Sequence, residues 1–567
     1  MSTPSPQPVI AYFCMEIALT ADMPTYSGGL GVLAGDTLRA AADMGLPLLG
    51  VTLVHRQGYF RQHLGRYGSQ LEEPAPWSPE ALLEPLSLRV TLPLAERLVH
   101  IRAWRYRVQG LSGHTVPVYF LDTDLPENDP LDRSITDWLY GGESRYRLRQ
   151  EAVLGLGGVA LLRALGVPVG IYHLNEGHTA LVPLALLDAH LSQQGKTLPE
   201  PADLEAVRRK CVFTTHTPVP AGHDQFPLSM VRAVLGERVV ALLHAIGCSH
   251  DNTLHMTRLA LTLSGWTNAV SARHREVAQG MFPQATLHAI TNGIHHPTWV
   301  SPPFRALYNR YLPGWEKDAF LLRYASTIPL DALTEAHREA KHLLLQEVAR
   351  RTQRRLDPQV FTIGFGRRAT GYKRMDFVFT DMGRLRQIAE RVGKIQILMA
   401  GKAHPRDTEG KELIRKVFAA SAALGEVLPV VYLEDYDLTL AQLLCAGVDL
   451  WLNTPRKPLE ACGTSGMKAA LNGVPSFSVL DGWWLEGHIE GVTGWAIGGP
   501  EPVSNMAYEA HDLYDKLERI ILPMFYRQPR AYQKVMQSAI ALNGPLFSAQ
   551  RMLHQYLVHA YTRHNLP

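Results

Sequence analysis

Residues Val360 to Asp376 read "VFTIGFGRRATGYKRMD". The first seven are almost continuously apolar and leave through Gly366. A strand covered on one face alternates apolar and polar residues; a strand covered on both faces does not. This run therefore predicts a strand inside a parallel sheet. The same grammar continues outward. A helical run is expected from about Arg374 to Arg391, then the strand "IQILMAGKA" and the helix "HPRDTEGKELIRKVFAASAAL". The strands "VVYLEDYD", "VDLWLN" and "PSFSVLDG" follow, separated by "LTLAQLLCAG" and a glycine-rich segment. Apolar strands alternating with helices build a parallel sheet covered on both faces.

Toward the N-terminus the pattern is looser. "VIAYFCMEI", "PLLGVTLV", "VGIYHLNEG", "KCVFTTHTPV" and "NAVSARH" read as strands ending in polar loops. "LSLRVTLPL" and "LVHIRAWRYRV" alternate and predict an antiparallel excursion. "ATLHAITNGIHHPTW" reads as the junction, and a long charged helix is expected from about Leu333 to Arg355. The predicted fold is α/β, with two doubly wound, Rossmann-like domains facing a cleft. They are expected over residues 1–285 and 286–567, with the last helices packing back on the first domain. In such folds ligands bind at the carboxyl ends of the strands.

At 567 residues the chain is too long for one core. Apolar residues make up 46% and charged residues 19%, which indicates a globular protein. A formal net charge of +3 gives no reason to expect nucleic acid as partner. The five cysteines are scattered without a CxxC pair, so a reducing cytoplasm is the expected compartment. The start "MSTPSPQP" has neither a basic end nor an apolar stretch, so no secretory leader is expected. The longest apolar run, "AVLGLGGVALL", stops at Arg163 and is too short to span a bilayer.

Three segments suit anions. In "TYSGGLGVLAGD" (Thr25 to Asp36), Gly28, Gly29 and Gly31 let backbone N–H groups approach a ligand, and a helix opens there. An ordinary strand-to-helix turn has the same composition. Arg367, Arg368, Lys373 and Arg374 crowd the loop after the apolar strand and suit a phosphate. In "EACGTSGMKAALNG" (Glu460 to Gly473), Gly463, Thr464 and Gly466 form a second anion-binding turn, with Lys468 on the helix that begins there. It is not a P-loop, since the spacing differs and Ala469 replaces the Ser/Thr. Lys468 is open to three readings: a surface lysine, a phosphate ligand, or a Schiff-base lysine carrying pyridoxal phosphate.

"HLNEGHTA" offers Asn175, Glu176 and His178; "TTHTPVPAGHD" offers His216, His223 and Asp224. Neither these nor "CSHDNTLH" has the spacing of a zinc site, and no metal is expected. Histidines that bond a polyhydroxylated ligand fit better. Tyr372, Tyr436, Trp483 and Trp484 are either sugar platforms or core. No GxSxG elbow and no evident carboxylate pair is present.

Nine segments in order, "SGGLGVLAGD", "HLNEGHTAL", "TTHTPVPAGHD", "TNAVSARH", "TNGIHHPTW", "GFGRRATGYKR", "GKAHPRD", "YLEDYD" and "EACGTSGMKAALNG", cover most of the chain. Through them it resembles the α-glucan (glycogen, starch or maltodextrin) phosphorylases in their compact bacterial form. The resemblance implies a glycosyltransferase-B architecture. It implies reversible, retaining phosphorolysis of terminal α-1,4-glucosyl residues by inorganic phosphate to α-glucose 1-phosphate. Pyridoxal 5'-phosphate would sit on Lys468, its phosphate group taking part in proton transfer. Gly463, Thr464 and Tyr436 would hold that cofactor, with Arg367 and Lys373 near both phosphates. Arg368, Lys373 and the Gly29 amide, beside Gly28, would hold the substrate phosphate. His216, Asn268, Tyr372, Glu460 and the amides of Ala461, Cys462 and Gly463 would hold the reacting glucose, and His178 would line the acceptor side. Family members are commonly dimers, so a homodimer is a candidate assembly.

The chain departs from the family pattern at Cys462 for serine, Ser465-Gly466 for Gly-Asn, Thr370-Gly371 for His-Glu, and Ala18 for tyrosine. Two further readings share the architecture: a nucleotide-sugar-dependent α-glucan synthase, and a catalytically inactive glucan-binding regulator.

Overall fold

A computed structural model of the chain describes residues 8–562, apart from 95 and 96. Residues 1–7, most of the stretch read for a leader, lie outside the described residues. The strand Phe361–Gly366 is buried at every position and is central in a six-stranded sheet. From one edge the strands run Val430–Leu433, Ile395–Ala400, Phe361–Gly366, Leu450–Asn453, Ser476–Val479 and Gly494–Ile497, all parallel. In sequence terms this is the doubly wound order 3-2-1-4-5-6. Its switch point lies between Phe361–Gly366 and Leu450–Asn453. The loops leaving those two strands carry Arg367 and Arg368, and the approach to Glu460.

Three expectations change. The helix expected from Arg374 starts at Met382, where the Asp381 carboxylate accepts the Arg384 N–H. Arg374 instead takes the left-handed conformation (φ 47°), and its guanidinium donates to the Thr454 and Pro455 carbonyls. The "VVYLEDYD" strand stops at Leu433. Its loop turns to hold the first half of the chain: Glu434 and Asp435 accept the amides of Leu64 and Gln62. The long charged helix runs Leu330–Thr352. The edge strand Gly494–Ile497 was not foreseen, because it is four residues long and bounded by glycines.

The larger sheet has nine strands, in the order His288–Ala289, Trp266–Ala269, Cys211–Thr214, Val169–Asn175, Val9–Phe13, Leu48–Leu53, Thr115–Asp122, Arg97–Gln109 and Glu84–Leu94. The last two are antiparallel, which is the excursion expected from their alternation. All other neighbours are parallel. The switch point lies between Val9–Phe13 and Val169–Asn175, and the loops beyond them carry Glu16 and His178.

The chain crosses between the sheets near Ile294 and returns near Ser548, where the two passes are hydrogen-bonded side by side. The final helix, Ala549–Tyr556, packs against the helix Gly29–Asp43. Met552, Leu553, Tyr556 and Tyr561 are buried there in the apolar layer of the larger sheet. Each such side chain contributes about 1.5–3 kcal/mol on burial. Tyr561 and His173 are hydrogen-bonded at 2.6 Å. Among the described residues no helix is long and apolar enough to cross a membrane.

Candidate active site

One wall follows the strand Val9–Phe13. Glu16 is buried there and accepts the amides of Ser27 (2.6 Å) and Gly28 (3.2 Å) and the hydroxyl of Tyr140 (2.9 Å). These bonds fix the glycine loop that opens the helix Gly29–Asp43. A Cβ on Gly31 would lie 2.8 Å from the Glu16 carboxylate, so only glycine fits at that approach. The helix has no side-chain cap and no acidic residue in its first turn. Its N–H groups and dipole are thus left for an anion. Gly29 is exposed, and a Cβ on Gly28 would lie 3.6 Å from an Arg368 nitrogen. The glycine loop and the basic loop therefore meet. Ala18, where the family pattern has tyrosine, is buried and donates its N–H to the Gly31 carbonyl (2.9 Å).

The opposite wall follows Phe361–Gly366. Glu460 accepts Arg367 at 2.7 Å and the Lys373 ammonium at 2.5 Å, all three being buried. Arg367 also donates to Asn453. Burial alone would raise the Glu460 pKa, but Arg367 and Lys373 outweigh it and hold the group at about 2. The Glu460 amide donates to Asp481 (2.9 Å). Asp481 is pushed up to about 7 by burial and by the neighbouring Glu460 charge, against the amides it accepts. Arg368 differs from its neighbours: it is exposed and has no ion-pair or hydrogen-bond partner among the described residues. Arg374, the fourth cation of the loop, is not in the site. It pairs with buried Glu509 at 2.7 Å and ties the loop down.

Lys468 lies on the short helix Ser465–Leu471 and is buried at 7% exposure, so the surface-lysine reading is excluded. Its ammonium nitrogen sits 3.9 Å from the centroid of the Trp299 ring. The Trp299 indole N–H donates to Asp36 (2.8 Å), on the helix Gly29–Asp43. The Lys468 ammonium has no hydrogen-bond or ion-pair partner among the described residues. Burial lowers its pKa, and Asp36 only partly opposes this. A desolvated amine against an aromatic face is a nucleophile in waiting. Gly463 holds φ 73°, and a Cβ there would lie 2.9 Å from the Glu460 carboxylate. The Gly463-Thr464 turn thus brings its backbone close to the acidic and basic groups. Tyr436 lies against the end of the strand Phe361–Gly366: a Cβ on Gly366 would lie 2.9 Å from its hydroxyl. These groups fit a carbonyl cofactor that also carries a phosphate.

The remaining predicted residues divide. The His216 amide donates to Glu176 (2.8 Å), and its ring donates to Asn175 (2.6 Å). Burial, reinforced by the His274, His173 and His178 rings, drives the His216 pKa far down, so the ring is neutral. His178 is also buried and neutral, at about 3, through burial and then Arg147. Its Nε2 has no hydrogen-bond partner. Tyr372 is half-buried beneath the Lys373 ammonium, 4.6 Å from its ring centroid. Ala461 lends its carbonyl to the Ser271 hydroxyl at 2.5 Å. Cys462 is buried, and burial raises its thiol pKa. Trp483 and Trp484 are core, at 2% and 0% exposure, and are not sugar platforms.

Asn268, expected at the glucose, is elsewhere. It is fully buried, its oxygen accepts Thr214 and its nitrogen donates to the Ala269 carbonyl and Tyr556, so no polar atom is left for a ligand. Asn292 has the opposite character. It is buried, its backbone lies within hydrogen-bond reach of Cys462, and its side-chain oxygen has no partner. Both asparagines follow a threonine, which is why the sequence did not separate them. Among the described residues no group of three or more His, Cys, Asp or Glu side chains is placed to hold a metal ion.

The carbohydrate phosphorylase family model matches residues 237–490. A maltodextrin phosphorylase of Thermococcus litoralis is 38% identical, over 98% of this chain and 71% of its own length. A glycogen phosphorylase of Aquifex aeolicus is 35% identical, over 98% of this chain and 86% of its own. An uncharacterized protein of Methanocaldococcus jannaschii is 32% identical, over 97% of this chain and 99% of its own. Similarity of this extent, on a doubly wound pair of sheets with the basic loop and buried lysine in place, means that the chain belongs to the carbohydrate phosphorylase family.

Proposed function

We propose that the protein is an α-1,4-glucan phosphorylase that releases α-glucose 1-phosphate from the ends of glucan or maltooligosaccharide chains, with pyridoxal phosphate on Lys468. The observation that carries this reading is the setting of Lys468: buried, unpartnered, against Trp299 and beside the Gly463-Thr464 turn. A nucleotide-sugar-dependent synthase would have no use for such an amine. Residues 1–285 would serve as the acceptor-binding unit and 286–567 as the cofactor-binding unit.

Lys468 would hold the aldehyde of the cofactor and the Gly463-Thr464 turn its phosphate, beside Tyr436, and the group would supply acid–base chemistry there through that phosphate. The protein's own groups have separable roles. Arg368 makes no direct ion pair among the described residues and faces the glycine loop, so it takes the substrate phosphate together with the Gly29 amide. Arg367 and Lys373 balance the remaining negative charge, held in register by Glu460. Glu460 keeps its charge at every working pH and offers its second oxygen to a sugar hydroxyl. The neutral ring and carbonyl of His216 face the glucose, with Tyr372 and the Ala461–Gly463 backbone. Asn292 replaces Asn268 among the glucose ligands, because only its amide oxygen is unspent. His178 serves the acceptor side.

The test is glucose 1-phosphate release from maltooligosaccharides of graded length, with the cofactor absorbance band and borohydride trapping followed by peptide mapping. The expected result is phosphorolysis and a pyridoxyl group on the Lys468 peptide. A protein without pyridoxal phosphate that uses a nucleotide sugar would overturn the reading.

A further inference from the structure

A cavity of about 200 Å³ opens at the other end of the helix Gly29–Asp43, away from the cleft. Its walls come from four parts of the chain: the last turn of that helix, the hairpin at Leu111 and Ser112, the segment His295–His296, and Glu316–Lys317 with Gln550 closing the side. This volume is far more than one water needs. It is below the roughly 300–1,000 Å³ of sites for drug-sized ligands, so it suits one small ring and not a glucan chain.

The chemistry of the walls narrows the occupant. Asp43 accepts the Leu111 amide and pairs with His295, both at 2.8 Å. Glu316 is paired with Arg305. Glu316 is therefore already ion-paired and both Asp43 oxygens already have hydrogen-bond partners, so neither carboxylate calls for a cationic ligand. Lys317 is a single exposed cation, which is too little to hold an anion. His296 is decisive. Its Nε2 lies 3.0 Å from the carbonyls of Trp315 and of Glu316, so Nε2 carries the proton and donates. Nδ1 is then a bare acceptor, and this atom is buried without a partner on a side chain only 3% exposed. A buried acceptor without a donor costs about 1–3 kcal/mol and is met by a donor when one is available. The leftover lone pairs of Asp43 and Glu316 ask for donors as well, and Met44 and Leu111 supply an apolar face.

We propose that this cavity is a second binding site, for a neutral polyhydroxylated molecule of monosaccharide size. Hydroxyls satisfy His296 Nδ1 and the carboxylate lone pairs, and the C–H face of the ring packs on Met44 and Leu111. The site is built from the far ends of two segments that also form the cleft. Asp43 ends the helix that begins at Gly29, and His295–His296 lead into the turn that presents Trp299 to Lys468.

The probe is labelled glucose in equilibrium dialysis with the intact protein, wild type against Ser112→Trp and Leu111→Trp. Both positions lie on an exposed hairpin, outside the catalytic groups, and an indole there fills the mouth of the cavity. The expected result is one glucose fewer per chain in each variant, with phosphorolysis unchanged when no free glucose is present. The difference in stoichiometry is independent of what the cleft binds, so it stands or falls apart from the proposed activity. Equal stoichiometry in wild type and both variants overturns the site. So does loss of all bound glucose from the wild type on adding a maltooligosaccharide, which would place all binding in the cleft.

Discussion

The two walls of the cleft each rest on one buried glutamate, and the two glutamates do opposite work. Glu16 gathers neutral donors, the amides of Ser27 and Gly28 and the Tyr140 hydroxyl. Glu460 gathers cations, Arg367 and Lys373. The first arrangement shapes backbone, and the second stores charge. The difference shows how one pocket is made ready for anions without flying apart while empty. Two of its buried positive groups, Arg367 and Lys373, are neutralised internally by Glu460, and Arg368, which has no ion-pair partner among the described residues, is the one the solvent reaches.

Substitutions should separate the walls in a definite order. Lys468→Ala, on the charged wall, should lower phosphorolysis by roughly 10⁴-fold, the upper range for lost proton-transfer chemistry. It should also abolish the cofactor band, whereas no change on the glycine wall should do so. Glu460→Ala strands two buried cations and should cost about 3–5 kcal/mol in urea unfolding. Glu16→Ala should cost about 1–3 kcal/mol, because what it strands is uncharged. Equal losses would break the contrast. Arg368→Ala should lower kcat/KM for phosphate by roughly 10²–10³-fold with little change in stability, since it has no partner to strand.

The pH dependence gives a second contrast, within the charged wall. Glu460 is held at about 2, below an unfolded value near 4.3. Its stabilisation is complete above that unfolded value and is lost as pH falls toward 2. Asp481 is raised to about 7, so its term runs the other way: complete below about 3.9 and lost as pH rises toward 7. Glu460→Gln should therefore flatten the acid limb of a stability profile and shrink, without abolishing, the limb between pH 4 and 7, because burial still raises Asp481 when the Glu460 charge is gone. The smallest effect is expected at the asparagines. Asn292→Ala should raise KM for oligosaccharide by about tenfold, and Asn268→Ala should lower stability while leaving KM unchanged.

These asparagines also mark where sequence reading ends. Thr267-Asn268 and Thr291-Asn292 look alike as letters. Which amide is spent depends on Tyr556, almost three hundred residues from Asn268. The smaller sheet was legible because strands such as Phe361–Gly366 are apolar throughout, and burial on both faces requires that. The hairpin Arg61–Leu64 with Gln70–Glu73 was not, because what "RQHL" and "QLEE" bury, Gln62 and Gln70, is polar and contacts the other half. Arg374 was legible as a cation near the site but not as a structural one. Its partner Glu509 belongs to a later helix that no motif marks. Lys468 was legible as a position, and only the fold could show that it is buried.

The return of the chain at Ser548 has a consequence for how the protein is made. The larger sheet is complete in sequence by Ala289, yet its His173, Thr214 and Asn268 side chains are covered by Tyr556 and Tyr561 from the far end. During synthesis the ribosome delivers that cover on the order of tens of seconds after the sheet itself. Until then the first half carries an open apolar seam that a chaperone can hold. Loss of the segment around Tyr556 and Tyr561 therefore damages the oldest part of the polypeptide, not the newest.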